Sequence, residues 1–391
     1  MRQYFPTERQ SASNRTPRQI NRNLILNLVR KQQPISRADL ARTSGLQRST
    51  VSLIVEDLIA DKLVVEGPTG RLPRGRRPTF LQLNSQRAVL ALDIHPEQVT
   101  LAVSDLGGKI IAQKLLDIPE SSRSVGAIVT AIKRVIAEHK QKSFDGIGVC
   151  LPGRTDPILE QAIFAPNLHF PVRDIRGRIA KATGLRVEMD NVANACALAE
   201  VWFGESDGMH DLVVVNVSEG IGTGILANGR LLRGDSGMAG EFGHVQLDRD
   251  GPLCGCGNHG CWETLASNRA ALRHYAESGG SPNGVSFTSL LSLAHAGDPI
   301  AIATLEWMST NLGRGLRMIT TALAPKEIVI VGDVTTAWYR FGPMIEEEMR
   351  RNSLNTNSIL RPAYDGGLAR LRAAVALVLN SGALQEPASV A

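Results

Sequence analysis

The 391 residues are 43% hydrophobic and 21% charged, enough chain and enough apolar content for two or three domains with real cores. No run of eighteen apolar residues can cross a bilayer, and the opening Met1-Arg2-Gln3-Tyr4-Phe5-Pro6 lacks the apolar stretch of a signal peptide, so a cytoplasmic protein away from membranes is expected. The net charge of +5 is unevenly spread: residues 1–87 hold sixteen Lys/Arg against six Asp/Glu, a net +10, and the rest of the chain nets −5. A basic head on a mildly acidic body is the asymmetry expected when only the head meets nucleic acid.

Residues 1–17 are polar, rich in Arg and Ser and without periodicity, which predicts a disordered arm. Ile20, Leu24, Ile25, Leu28 and Val29 then recur at helical spacing until Pro34. Ser36 is placed to cap a short second helix, with Asp39 where a capping-box acid sits and Leu40 and Ala41 on the buried face. Gly45 marks a short turn, and Ser49-Thr50-Val51-Ser52 opens a third helix running to about Asp61.

Helix, Gly-containing turn, helix is the helix-turn-helix order. It sets Gln47, Arg48, Ser49, Thr50 and Ser52 at a major groove, with Val51, Ile54, Val55 and Leu58 packed inward. An ordinary three-helix bundle would share that periodicity; the basic balance favours DNA. Residues 63–66 and 79–83 read as two short strands of a wing, joined by a loop containing Pro73-Arg74-Gly75-Arg76-Arg77-Pro78. That strip resembles an AT-hook core, whose arginines enter a narrow minor groove. A basic linker that only touches phosphates fits equally well. Residues 18–84 are thus expected to be a winged helix-turn-helix domain for double-stranded DNA.

The body starts at Ala88. Residues 89–94 and 99–105 read as a strand pair joined by the turn His95-Pro96-Glu97-Gln98. An amphipathic helix follows over 125–140, and residues 146–151 form a buried strand that ends at Pro152-Gly153. Ala165-Pro166-Asn167-Leu168 is a loop, and residues 187–191 lead into a helix reaching Glu200. Residues 212–217 are another buried strand, and Gly220, Gly222 and Gly224 suit a hairpin. The C-terminal stretch is largely helical, with one clear strand at 325–333. Its last helix, opened by Gly366-Gly367, is expected to pack back on the N-terminal lobe.

The most informative stretch is residues 240–263. His244, Cys254, Cys256 and Cys261 present one imidazole and three thiolates within eighteen residues, the donor set of a closed tetrahedral structural zinc site, one Zn2+ per chain. Gly255, Gly257 and Gly260 let the backbone turn tightly enough for the donors to converge. His259 competes as fourth ligand, and spacing does not exclude it. The alternative is a flexible loop with three free thiols, or a disulfide; nothing else in the chain suggests the oxidising compartment a disulfide needs. Cys150 and Cys196 sit in apolar contexts and read as core. Two acids that zinc does not need, Glu241 and Glu263, bracket the cluster, so the loop reads as a rigid platform for a polar ligand.

The run Gly240-Glu241-Phe242-Gly243-His244, followed by Cys-x-Cys-Gly-x-x-Gly-Cys-x-Glu, resembles the signature of the ROK family of sugar kinases and sugar-responsive repressors, in particular its repressor branch with the xylose and N-acetylglucosamine repressors. The likeness extends over most of residues 88–385. It implies an α/β chain in which the winged helix-turn-helix precedes a two-lobed actin-like (ribonuclease H-like) sugar-kinase fold with a structural zinc loop, residues 88–385 forming the sugar-sensing domain. It further implies that Asn167, Asn191, Glu241, His244 and Glu263 contact a sugar or sugar phosphate, that operator DNA is the second partner, and that the protein is a homodimer or homotetramer.

Three departures from the family's kinases bear on activity. Their first phosphate loop, Asp-x-Gly-Gly-Thr, is here Asp93-Ile94-His95-Pro96-Glu97-Gln98, which has lost both glycines. Their catalytic base aligns with Val192, which cannot accept a proton. Their second loop has Gly-Thr where Ser218-Glu219 stands here, and a carboxylate repels triphosphate. A non-enzymatic repressor of carbohydrate-utilisation genes is expected. The alternative is a hexose or N-acetylhexosamine kinase carrying an accessory DNA-binding domain.

Overall fold

The computed structural model describes residues 15–69, 78–96, 98–116, 124–156, 161–164, 168, 174–204, 211–281, 284–354, 357–364 and 366–381. They divide into two compact units. One runs to Ala88 and takes in Asp105–Lys109; the other comprises Val89–Ser104 and the residues from Ile110 on.

The first unit holds α1 (Arg15–Gln32), β1 (Ile35–Ser36), α2 (Arg37–Ser44), α3 (Arg48–Ala60), β2 (Val64–Thr69) and β3 (Thr79–Leu83). Helix α1 takes in Arg15–Pro17 of the segment expected to be an unstructured arm. Ser36 closes the anticipated capping box with Asp39, and Gly45 ends α2 in the left-handed region at φ 70°, where the absence of a Cβ removes the steric penalty. Ile25, Val29, Leu40, Val51, Val55, Leu58 and Leu81 make the core. Arg18 and Arg22 of α1 reach Asp57 of α3 and Asp61 just past its end, each at 2.5 Å. The two expected strands, β2 and β3, pair antiparallel, and β1 adds to them in the order β1-β3-β2.

The second unit has two lobes. The first contains β4 (Arg87–Ile94), β5 (Val99–Ser104), β6 (Ile110–Leu116), α4 (Val125–Glu138), β7 (Ser143–Leu151), β8 (Arg154–Asp156), β9 (Gln161–Phe164), α5 (Ile175–Thr183), β10 (Val187–Asn191) and α6 (Val192–Phe203). Its sheet runs β10-β7-β4-β5-β6. The near-continuous burial of β4, β5 and β7 is that of strands covered on both faces.

The second lobe contains β11 (Leu212–Val217), β12 (Ile221–Ala227), β13 (Arg230–Leu231), α7 (Glu263–Ala266), α8 (Asn268–Glu277), α9 (Phe287–His295), α10 (Pro299–Leu323), β14 (Glu327–Val331), α11 (Trp338–Arg350), β15 (Ile359–Pro362) and α12 (Ala369–Asn380), with sheet order β13-β12-β11-β14-β15. The edge strands β6 and β15 were not legible in the sequence. An edge strand is short or half solvated, so its apolar pattern is weak.

Two alanine-rich helices join the lobes. Helix α12 packs on β7, β10 and α6, and α6 packs in turn on β11 and β12. The expected return of the last helix to the N-terminal lobe is therefore present. The approach is close enough to need glycine: a Cβ on Gly148 of β7 would overlap the carbonyl of Ala374, and one on Gly224 of β12 would overlap the carbonyl of Ala193. Gly148→Ala and Gly224→Ala are each expected to cost about 2–3 kcal/mol as overpacking against backbone, read as a lowered thermal midpoint. Gly367→Ala, where nothing lies within 4 Å, serves as the neutral control.

Candidate functional site

The metal-type cluster is assembled by a folded-back loop between two short helical turns. Gln246 bridges to Cys261 and Leu253 to His259, and the Gly260 amide donates to the Pro252 carbonyl at 2.8 Å. Gly257 and Gly260 adopt φ values of 93° and 58°, and a Cβ on Gly260 would strike the Asp248 carbonyl. These turns bring the donor atoms of His244, Cys254, Cys256 and Cys261 within 4.8 Å of one another. Cys254 Sγ lies 3.5 Å from His244 Nδ1, and Cys256 Sγ lies 3.6 Å from Cys261 Sγ. A tetrahedron with metal–sulfur bonds of about 2.3 Å has edges of about 3.8 Å, so the set fits one ion.

His259 stands apart. Its Nδ1 lies 3.1 Å from the Gly251 carbonyl oxygen, so the geometric choice falls on His244. Burial holds the Cys254 thiol well above the ordinary thiol range, and the Glu263 carboxylate beside it pushes the same way. A bound cation reverses that balance, because thiolates are the ligating form.

The cluster forms one wall of a cleft of about 410 Å³ between the lobes, lined among others by Asn191, Val192, Glu241, His244 and Glu263. That volume suits a small polar ligand. His244 turns Nδ1 to the cluster, and its Nε2 lies 3.7 Å from Glu241 Oε2. Glu263 Oε1 lies 3.6 Å from His244 Nδ1 and 3.0 Å from Cys254 Sγ. The Glu241 turn is seated on β12: Thr223 Oγ1 donates to the Gly240 carbonyl, and a Cβ on Gly243 would overlap the Ile221 carbonyl. Asn191 is present but partly committed. Its Oδ1 caps α6 by accepting from the Ala193 amide at 2.8 Å, and its Nδ2 donates to the Gly153 carbonyl at 2.5 Å. Asn167 lies outside the described residues.

The acids around the expected base position are held in pairs. Val192, at the expected base position, is buried at the first position of α6. Asp190, two residues earlier, is 1% exposed. It pairs with Arg233 at 2.6 Å and accepts from Thr155 Oγ1 at 3.1 Å and from the Asn191 amide at 2.7 Å. Asp93, the acid retained in the first loop, is clamped by Arg370, whose Nε donates at 2.9 Å and whose Nη2 donates at 2.8 Å. Arg370 and Arg233 gave no sign of these roles in the sequence, because their partners lie 277 and 43 positions away.

In the first unit, Gln47 is the N-cap of α3. Gln47, Arg48 and Ser49 are exposed and Thr50 and Ser52 half-buried, while Val51, Ile54, Val55 and Leu58 face the core. Arg74, Arg76 and Arg77 lie outside the described residues.

Comparison with known proteins places residues 89–380 under the model of the ROK family. A xylose repressor of Bacillus subtilis (strain 168) is 31% identical over 338 residues, 85% of this chain and 86% of that protein. A crystal structure of a ROK family transcriptional regulator, described as a homolog of the E. coli MLC protein, superposes with a TM-score of 0.77 at 28% identity, covering 94% of this chain and 98% of the other. A ROK family glucokinase from Streptomyces griseus, solved with glucose and AMPPNP, gives a TM-score of 0.68 at 27% identity, covering 75% of this chain and 100% of the kinase.

Two outcomes follow from the geometry. Cys261→Ser should lose about one equivalent of bound divalent metal per chain, measured by elemental analysis, with a lowered thermal midpoint. Arg370→Ala strands a largely buried Asp93 carboxylate and should cost about 3 kcal/mol. Asp93→Asn combined with Arg370→Met should recover much of that loss in thermal unfolding.

Proposed function

This chain belongs to the ROK family, and we propose that it is a sugar-responsive, DNA-binding transcriptional repressor whose kinase-like body no longer catalyses. Residues 18–84 act as the winged helix-turn-helix and residues 88–385 as the sugar-sensing body, with residues 1–17 as an arm. The observation that carries the reading is the Asp93–Arg370 clamp, with a valine at the base position beside it. Supporting it, the glucokinase is covered in full by three quarters of this chain, whereas the ROK transcriptional regulator is matched over nearly all of it.

In this reading the cluster is a structural Zn2+ site, one per chain. Zinc suits a His/Cys3 set because it accepts tetrahedral nitrogen and sulfur donors without redox chemistry. The sugar is held by Asn167, Asn191, Glu241, His244 and Glu263, a ring of acceptors and donors matched to several hydroxyls. Gln47, Arg48, Ser49, Thr50 and Ser52 read the operator, with Arg74, Arg76 and Arg77 on the adjacent groove or backbone. The protein works in the cytoplasm as a homodimer or homotetramer, and sugar binding alters the spacing of paired heads over operator half-sites. The ligand shifts that equilibrium by as much as its affinity differs between the two states.

Duplexes selected from a randomised library by the full-length protein provide the test. Their binding should change at least about tenfold, or 1.4 kcal/mol, on adding one member of a sugar panel. Glu263→Gln should keep DNA affinity and lose the sugar response. A coupled assay with hexoses and N-acetylhexosamines should detect no ATP turnover; robust turnover would establish instead a kinase with an accessory DNA-binding domain.

A further inference from the structure

The outward face of α3 carries a side chain of a chemistry that the polar DNA contacts named above do not supply. At about 100° per residue, Ser49, Leu53, Glu56 and Ala60 fall within about 60° of one another. They lie opposite Val51, Ile54, Val55 and Leu58, which fill the core, and all four are exposed. Leu53 is 64% exposed, the most exposed large hydrophobic residue among those described in the first unit. The Cα–Cβ bond of a helical residue tilts toward the N-terminus. Leu53 therefore covers the turn that begins at Ser49, the end of α3 assigned to the groove.

This stripe is unsuited to phosphate. It holds no lysine or arginine, and the Glu56 carboxylate repels a DNA backbone. The neighbouring acid, Asp57, is already held by Arg18 at 2.5 Å. Phosphate contacts position a protein on a duplex, whereas contacts to base edges specify sequence. A leucine side chain has no donor and no acceptor, so it gains nothing from a phosphate or from the polar edges of the bases. The apolar group that B-DNA presents in the major groove is the C5 methyl of thymine. Cytosine lacks that methyl, so an apolar side chain at this place separates the two pyrimidines by burial alone.

We propose that Leu53 is a specificity-determining residue that reads a thymine of the operator through its C5 methyl. The proposal rests on the reading of residues 18–84 as a DNA-binding head and adds to it the base that one side chain selects.

The test uses the full-length, metal-loaded protein and a duplex that it selects from a randomised library, with affinity read by fluorescence anisotropy at fixed salt. Each thymine is replaced in turn by deoxyuridine, which removes the methyl and keeps the base pair and its O4 acceptor. At one thymine or more the affinity should fall about three- to fivefold, the worth of one buried methyl group. With a cytosine at that position binding should weaken, and 5-methylcytosine should recover part of the loss. Leu53→Ala should bring the thymine-to-deoxyuridine ratio to within about 1.5-fold and leave the salt dependence of binding unchanged, because the phosphate contacts remain. Its thermal midpoint should hold, since the side chain is exposed and alanine favours a helix. A duplex indifferent to every deoxyuridine, or a penalty that survives Leu53→Ala, overturns the proposal and leaves the DNA-binding head standing. Failure of the full-length protein to enrich any duplex overturns the head and this proposal together.

Discussion

Three consecutive residues bind the site to the fold. Trp262 is fully buried, its ring packs where any Cβ on Gly315 of α10 would sit, and its Nε1 donates to the Asn311 carbonyl at 3.0 Å. The residue before it, Cys261, belongs to the donor cluster, and the residue after it, Glu263, lines the cleft. With the indole locked against α10, the flanking side chains have little freedom left, because a large buried aromatic in a close-packed interior has essentially one placement. A change in the cluster therefore reaches the cleft through a rigid lever one residue long.

At one end of the cleft two carboxylates are engaged in charge pairs. Asp93 and Asp190 are still carboxylates, and position alone would allow either to serve chemistry. Each is instead held by an arginine from elsewhere in the chain, Arg370 on α12 and Arg233 after β13. Burial disfavours the charged guanidinium of Arg370, but the Asp93 carboxylate more than offsets this and raises its affinity for the proton. An acid committed to such a pair, with its other lone pairs accepting hydrogen bonds, makes a poor general base. The Asp190–Arg233 pair also links the first lobe to the second, so the same contact that occupies the acid ties the lobes together.

A second inter-lobe tie lies at the back of α6. Arg361 of β15 reaches Glu200 of α6 at 2.7 Å and Glu327 of β14 at 3.0 Å, all three side chains largely buried. With the glycine-to-carbonyl approaches of Gly148 and Gly224, these contacts make α6 and α12 the shared floor of both lobes.

Much of the architecture was legible one segment at a time. The capping box at Ser36 and Asp39, the left-handed Gly45, the inward face of α3, the paired strands β4 and β5, and the donor set of the 240–263 loop are all local. Each follows from helical or strand period, from cap chemistry, or from ligand type and spacing within a few residues. The valine at position 192 was legible for the same reason, since it is a matter of residue identity. Tertiary structure alone decided the rest: that His244 and not His259 completes the cluster, that Asn191 spends part of its amide capping α6, and that Asp93 and Asp190 are neutralised from 277 and 43 positions away. Such pairings depend on which side chains folding brings within about 3 Å in a low-dielectric interior, and no period or motif in a linear chain encodes that distance.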